Sequence, residues 1–323
     1  MSRLGVPLPP ARASARPVSF CGLRLEHPII NASGTFDAIA ARRAFGDALL
    51  AEFPFAAFVS KTVTLAPRQG NPPPRLWELG AGMINSIGLP NKGLARFLAE
   101  DLPQLAELPV PLIVNVMGTS HEDVGALVDA CSARTEIAAI ELNVSCPNIK
   151  TGMSMGADPV ETAALVAAVR PRAAKPLIVK LTPNCTEPAA VAAAAEAQGA
   201  DAVSLINTVR GMAIDPRRPG RPWLGGGTGG VSGPAVRAIA LAQVRDVRAR
   251  VSIPIVGMGG VQTGRHARDL IEAGADLVAV GTETFRDPLA GARIARELAG
   301  IAANSGVPAA RGEREDHAMA HYP

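Results

Sequence analysis

The 323-residue sequence predicts an α/β protein whose main domain is a closed (β/α)8 TIM barrel, and three observations predict it. Eight short apolar runs recur along the chain. They are unbroken rather than alternating, the pattern of parallel strands buried on both faces. Longer, Ala-rich helical segments separate most of them. Eight such alternations point to a closed barrel, with a doubly wound open sheet as the runner-up. The size agrees, since a barrel of this kind commonly takes about 250 residues.

The first run, residues 28–31, leads into Asn31-Ala32-Ser33-Gly34. The second, 58–62, carries Lys61-Thr62. Residues 65–93 follow, rich in Pro, Gly and Asn. A connection this long is functional or disordered, and its anchors Trp77, Met83, Ile84 and Ile87 favour an ordered functional loop. The third run, 112–116, contains Asn115 and precedes a helix over 122–133. The fourth, 138–142, is followed by Asn143-Val144-Ser145-Cys146-Pro147-Asn148 and a helix over 159–173. The fifth, 177–181, carries Lys180. Its helix, 188–198, starts with Thr186 ahead of Pro188 and closes at Gly199. The sixth, 202–206, ends at Asn207-Thr208, and Ser232 is placed to cap a helix over 234–250. The seventh, 254–258, ends in Gly259-Gly260 before a helix over 264–273. The eighth, 277–280, ends in Gly281-Thr282 before a helix over 288–303. The barrel domain is therefore expected at 18–305. Residues 1–17 read as a flexible extension, with a transit peptide as the alternative. Residues 306–323 read as a flexible tail.

Composition excludes several roles. The formal charge is +3 without a basic run, and aromatics are 3% of residues, so neither nucleic acid nor a membrane surface is an expected partner. No apolar stretch approaches the roughly 18–20 residues that span a bilayer. Cys21, Cys131, Cys146 and Cys185 form no CxxC pattern, so no metal centre is expected. A few scattered cysteines fit a reducing cytoplasm better than a disulfide framework.

In such a barrel the active site lies at the C-terminal strand ends. An Asn there is commonly only a turn residue. A lysine inside Leu-Ile-Val-Lys-Leu is different: buried, it must be paired or neutral. A salt bridge to a neighbouring strand is one reading, a ligand contact the other. Two lysines and three asparagines converging on one mouth describe a site for a polar, partly anionic ligand. The glycines after strands seven and eight are simple turns singly. Together they favour a phosphate held by backbone N–H groups, hence a phosphorylated cofactor. A lone cysteine is ordinarily an inert buried thiol, but Cys146 sits between Asn143 and Asn148.

The chain resembles the class 1 dihydroorotate dehydrogenases, and within them class 1B, over roughly residues 17–306. The motifs are NASGTF at 31–36, SKTVTLAPRQGNPPPR at 60–75, GMINSIGLPNKG at 82–93, IELNVSCPN at 140–148, INTVRGMAID at 206–215, GGTGGVSGPA at 226–235 and GMGG at 257–260. The resemblance implies bound FMN, contacted by Ser33, Lys61, Thr62, Asn115, Asn143, Lys180, Ile206, Gly233, Gly259, Gly260, Gly281 and Thr282. It implies dihydroorotate contacts from Lys61, Asn85, Ser86, Ile87, Gly88, Leu89, Asn143, Asn148, Asn207 and Thr208, with Cys146 as catalytic base. Class 2 relatives carry serine as base and a membrane-associating extension. Class 1B implies NAD as final acceptor. The chain has neither an iron–sulfur cysteine cluster nor a dinucleotide fingerprint. A partner subunit carrying FAD and an iron–sulfur centre is therefore expected, around a homodimeric core. The rivals are a class 1A fumarate-using enzyme, a dihydropyrimidine dehydrogenase-type FMN barrel sharing the NxSCP element, and a non-enzymatic phosphate-ligand barrel.

Overall fold

The computed structural model describes residues 17–145 and 155–305. The expected extension (all but Pro17), the expected tail, Cys146 and Asn148 lie outside the described residues.

Eight parallel strands form one sheet: β1 (Ile29–Asn31), β2 (Phe58–Val59), β3 (Leu112–Val116), β4 (Ile137–Asn143), β5 (Leu177–Lys180), β6 (Ala202–Leu205), β7 (Ile255–Met258) and β8 (Leu277–Val280). Their order is β1-β8-β7-β6-β5-β4-β3-β2, so the first and last strands of the ladder are consecutive in the chain. An asparagine side chain closes the gap between them. Asn31 Nδ2 donates to Val59 O and Asn31 Oδ1 accepts from Val59 N, both at 2.8 Å. Ala56 N adds a bond to Ile29 O at 3.0 Å. This side-chain substitute for a backbone ladder decides for the barrel over the open sheet.

The strands sort their side chains by period two. Ile30, Val59, Ile113, Ala139, Ile178, Ala202, Val256, Leu277 and Ala279 share one buried interior cluster. A hairpin ahead of β1, Val18–Phe20 and Leu23–Leu25, adds Phe20 and Leu25 to it. The alternate residues, among them Val114, Leu142, Val179, Val203 and Val278, pack against the helices in a second cluster.

Besides a single turn at Ala48–Ala51, the helices are α1 (Ala38–Phe45), α2 (Leu94–Arg96 running through Phe97–Asp101 into Leu102–Leu105), α3 (His121–Ser132), α4 (Pro159–Val169), α5 (Pro188–Ala197), α6 (Arg237–Arg248), α7 (Gly264–Ala273) and α8 (Ala290–Ser305). The expected segments hold with ends shifted by a few residues. Pro171 makes 170–172 a tight turn after α4, and Pro234–Val236 is a tight turn before α6. The helices α1 and α2 carry weaker Ala-rich patterns; α1 is set by Asp37, whose carboxylate accepts from Ala40 N. One cap was misassigned. Gly233 precedes the turn into α6, and the Ser232 hydroxyl accepts instead from Thr282 Oγ1 at 2.8 Å.

The long connection after β2 is ordered. It forms the hairpin Leu76–Leu79 and Gly82–Asn85, joined by Gly229–Ser232 and Val209–Gly211 from the β6–α6 connection into a four-stranded antiparallel sheet. Ile84, Ala213 and Leu224 form its small core beneath Trp77 and Trp223. Both connections leave C-terminal strand ends, so this sheet stands over the mouth. Among the described residues no helix is long and apolar enough to cross a membrane.

Candidate active site

One step along each inward row from the apolar interior, the barrel turns polar. Asn115 follows Ile113, Glu141 follows Ala139, Lys180 follows Ile178 and Ser204 follows Ala202. All four are buried. Glu141 binds its neighbours with both carboxylate oxygens: Asn115 Nδ2 donates to Oε2 at 2.5 Å, and Ser204 Oγ donates to Oε1 at 2.7 Å. Asn115 N donates to Ser60 Oγ at 3.1 Å. Two groups are left over. Asn115 Oδ1 is buried without a hydrogen-bond partner. Lys180, 5% exposed, has no hydrogen bond or ion pair among the described residues. The salt bridge considered for Lys180 is thus not made there, and a buried ammonium without a partner is costly unless a ligand supplies one.

The glycine loops meet at one edge of the mouth. Gly233 (φ +88°), Gly259 (φ +137°) and Gly260 (φ +70°) occupy backbone conformations that disfavour other residues. A Cβ on Gly260 would lie 3.0 Å from Gly233 O and 2.7 Å from Arg237 Cβ. A Cβ on Gly259 would lie 3.3 Å from Ile206 Cγ1. Gly281 and Thr282 join them, Thr282 through Ser232. A cavity of about 530 Å³ opens beside Thr282, lined also by Trp77, Met83, Phe285 and Arg286.

At the neighbouring ends of β1 and β2, Ser33 Oγ donates to Ser60 O at 2.8 Å, and Thr62 is buried. Lys61 is half-exposed and pairs with Asp37 at 2.6 Å. Burial works to raise the Asp37 pKa, but hydrogen bonds from Lys61 and Ala40 N outweigh it and hold the carboxyl below its usual range. The expected substrate loop, 85–89, is pinned from behind. Asn71 Nδ2 donates to Ser86 Oγ at 2.9 Å, and Asn71 N to Ile87 O at 3.0 Å. Gly88 (φ +76°) lies so close to Asn71 N that a Cβ would come within 2.4 Å. Asn91 Nδ2 donates to Leu89 O at 2.9 Å, holding Leu89 at φ +55°. Asn85 Nδ2 donates to Gly230 O at 3.3 Å. Asn143 Oδ1 accepts from Ser145 N at 3.2 Å, and Asn207 Nδ2 donates to Ser145 Oγ at 2.9 Å. Thr208 packs on Gly230, where a Cβ would come within 1.9 Å of Thr208 Oγ1.

The structure thus groups the described candidates around one mouth. It also exposes residues the sequence did not single out: Glu141, Ser204, Ser60, Asn71 and Asn91. The hint for Glu141 was a charged residue inside the apolar run Ala-Ala-Ile-Glu-Leu. Among the described cysteines, burial pushes the Cys21 and Cys131 thiols up to about 12, with Asp201 and Asp276 adding to the shift at Cys21. Burial also raises Cys185.

Comparison with known proteins decides the family. The dihydroorotate dehydrogenase family model matches residues 16–301. This chain belongs to the dihydroorotate dehydrogenase family. The family is one of flavin-dependent oxidoreductases. A protein of Desulforudis audaxviator named dihydroorotate dehydrogenase B (NAD(+)), catalytic subunit, is 44% identical over 285 residues, covering 87% of this chain and 90% of its own. The Geobacillus kaustophilus protein of that name is 42% identical over 308 residues, 95% and 93% of the two chains. A Solibacter usitatus protein provisionally described as dihydroorotate dehydrogenase A (fumarate) is 44% identical over 293 residues, 90% and 94%. For a member of this family, the paired acceptor and cation at the mouth and the glycine edge are the features to explain.

Proposed function

We propose that this dihydroorotate dehydrogenase family member is the FMN-carrying catalytic subunit of a class 1B enzyme. It oxidises (S)-dihydroorotate to orotate in the cytoplasm, in de novo UMP synthesis. The observation that carries the reading is the buried, unpartnered Asn115 Oδ1 and the buried Lys180, which has no ion pair among the described residues, at a mouth where an added Cβ on Gly233 or Gly260 would crowd its neighbours. Such a site suits a phosphorylated heterocycle. Backbone N–H groups around Gly233, Gly259, Gly260, Gly281 and Thr282 would hold the phosphate. Ser33, Thr62, Asn115, Asn143, Lys180 and Ile206 would hold the ring system, and Lys180 would stabilise negative charge on it. FMN, when bound, supplies the hydride acceptor.

The chain's own residues do the rest. The ammonium of Lys61 turns from Asp37 to the substrate carboxylate, aided by backbone N–H groups of 85–89. Asn143, Asn148, Asn207 and Thr208 offer donors and acceptors matching the alternating C=O and N–H edge of the pyrimidine. Cys146 takes the proton from C5 on the face away from the ring, as thiolate. The raised thiols of Cys21, Cys131 and Cys185 support Cys146 as the reactive one.

Electrons pass to NAD through a partner subunit with FAD and an iron–sulfur centre, around a homodimeric core. This chain has no cysteine cluster for such a centre. The Solibacter relative favours a second reading, a class 1A enzyme that reduces fumarate. Acceptor assays separate the two. Turnover of dihydroorotate by the purified chain with fumarate alone supports class 1A. NAD reduction that appears only with a copurifying subunit supports class 1B. NAD reduction by the lone chain contradicts the partner, and no orotate with any acceptor contradicts the enzyme reading.

A further inference from the structure

The central acid of the barrel, Glu141, has no role in the account above. Its surroundings give it one. Asn115 and Glu141 are register partners on β3 and β4, as are Asn143 and Lys180 on β4 and β5, and Lys180 and Ser204 on β5 and β6. The Glu141 carboxylate accepts hydrogen bonds and offers none. One oxygen takes Ser204 Oγ and the other takes Asn115 Nδ2. An Asn115 amide turned over would set Oδ1 against the carboxylate. The amide is therefore locked with its carbonyl oxygen facing away from Glu141. The main chain is fixed too, by Asn115 N on Ser60 Oγ.

We infer that Glu141 is a positioning residue that fixes Asn115 as an acceptor for the ring N–H of the flavin. The inference rests on the flavin reading above. Asn115 Oδ1 is fully buried and lacks a partner, and leaving a buried acceptor unsatisfied is costly. It calls for a donor from a ligand. Lys180 lies two strands away, a cation without a partner among the described residues, and calls for an acceptor. A ligand edge that meets both carries an N–H beside a carbonyl. The pyrimidine edge of oxidised isoalloxazine is such an edge, its single ring N–H (N3) lying between two carbonyls. Had Asn115 been free to turn, the position would accept an N–H or a carbonyl alike. Glu141 removes the second option and gives the site a sense of direction.

Flavin-stripped protein titrated with FMN and with N3-methyl-FMN tests this. Wild type is expected to prefer FMN by about tenfold to a hundredfold, the cost of one buried hydrogen bond left unmade. In Glu141→Gln the new amide donates or accepts, so Asn115 loses its fixed direction. FMN still binds and the preference falls by about tenfold. Ser204→Ala leaves the Asn115–Glu141 bond in place and keeps the preference. Equal affinity of wild type for both flavins overturns the inference, whether or not any variant folds. So does an unchanged preference in Glu141→Gln, which would mark methyl crowding or a purely structural role, as would loss of preference in Ser204→Ala. Wild-type protein that takes up neither flavin contradicts the flavin reading itself.

Discussion

Lys180 concentrates the chemistry of this mouth in one side chain: a buried lysine that forms no ion pair among the described residues. Lys180→Ala should weaken flavin binding or slow flavin reduction by about a hundredfold, the usual loss when one preorganised charge is removed. A yellow variant with full activity would contradict its role. Cys146→Ala is expected to keep FMN bound and to slow reduction of the flavin by dihydroorotate about 10²–10⁴-fold, the contribution of a positioned base. Stopped-flow absorbance measures it, and unchanged kinetics would remove Cys146 from the mechanism. Lys180 was legible because a charge interrupts an apolar strand. Asn31 was read only as a polar strand end; its work in closing the β1–β2 seam depends on Val59, 28 residues away, which no local pattern reveals. Glu141 went unnoticed for a similar reason, since Asn115 and Ser204 come from different strands.

The glycine loops and strand starts behave as units. Gly260→Ala puts a Cβ against Arg237 Cβ and Gly233 O at a left-handed φ, so thermal or urea denaturation should show a loss of about 1–3 kcal/mol. Gly281 has φ −109° and nothing nearer to an added Cβ than 3.7 Å. With that space free, Gly281→Ala should cost less stability than Gly260→Ala while lowering FMN affinity. Equal stability loss in both would contradict the separation of strain from ligand contact. His27 precedes β1, where its Nδ1 accepts from Ile29 N at 3.3 Å and burial lowers its pKa from 6.5 to about 4. Between those values the unfolded chain binds the proton and the folded chain does not. Stability is thus present above pH 6.5 and lost as pH falls toward 4, by about 3 kcal/mol. Urea denaturation at pH 7 and pH 4.5 should show a smaller drop in His27→Gln than in wild type; equal drops would assign the effect elsewhere. The parallel strands and most helices were readable as apolar runs and Ala-rich segments. The antiparallel sheet was not, because Gly229–Ser232 is two glycines, a valine and a serine, and its partner Gly82–Asn85 lies far away in sequence.

The molecule as a whole brings together what the chain disperses. The β1–β2 seam closes the barrel, the hairpin before β1 fills its floor, and the antiparallel sheet stands over its mouth. The polar layer of Asn115, Glu141, Lys180 and Ser204 then lies between an apolar interior and the glycine edge. The central claim is that this mouth holds a flavin that takes a hydride from dihydroorotate. Anaerobic mixing of the purified protein with dihydroorotate, while the visible spectrum is recorded, tests it most directly. Prompt bleaching of the flavin band with formation of orotate, and none with dihydrouracil, is the expected result. A colourless protein, or a yellow one that dihydrouracil bleaches and dihydroorotate leaves oxidised, would contradict it.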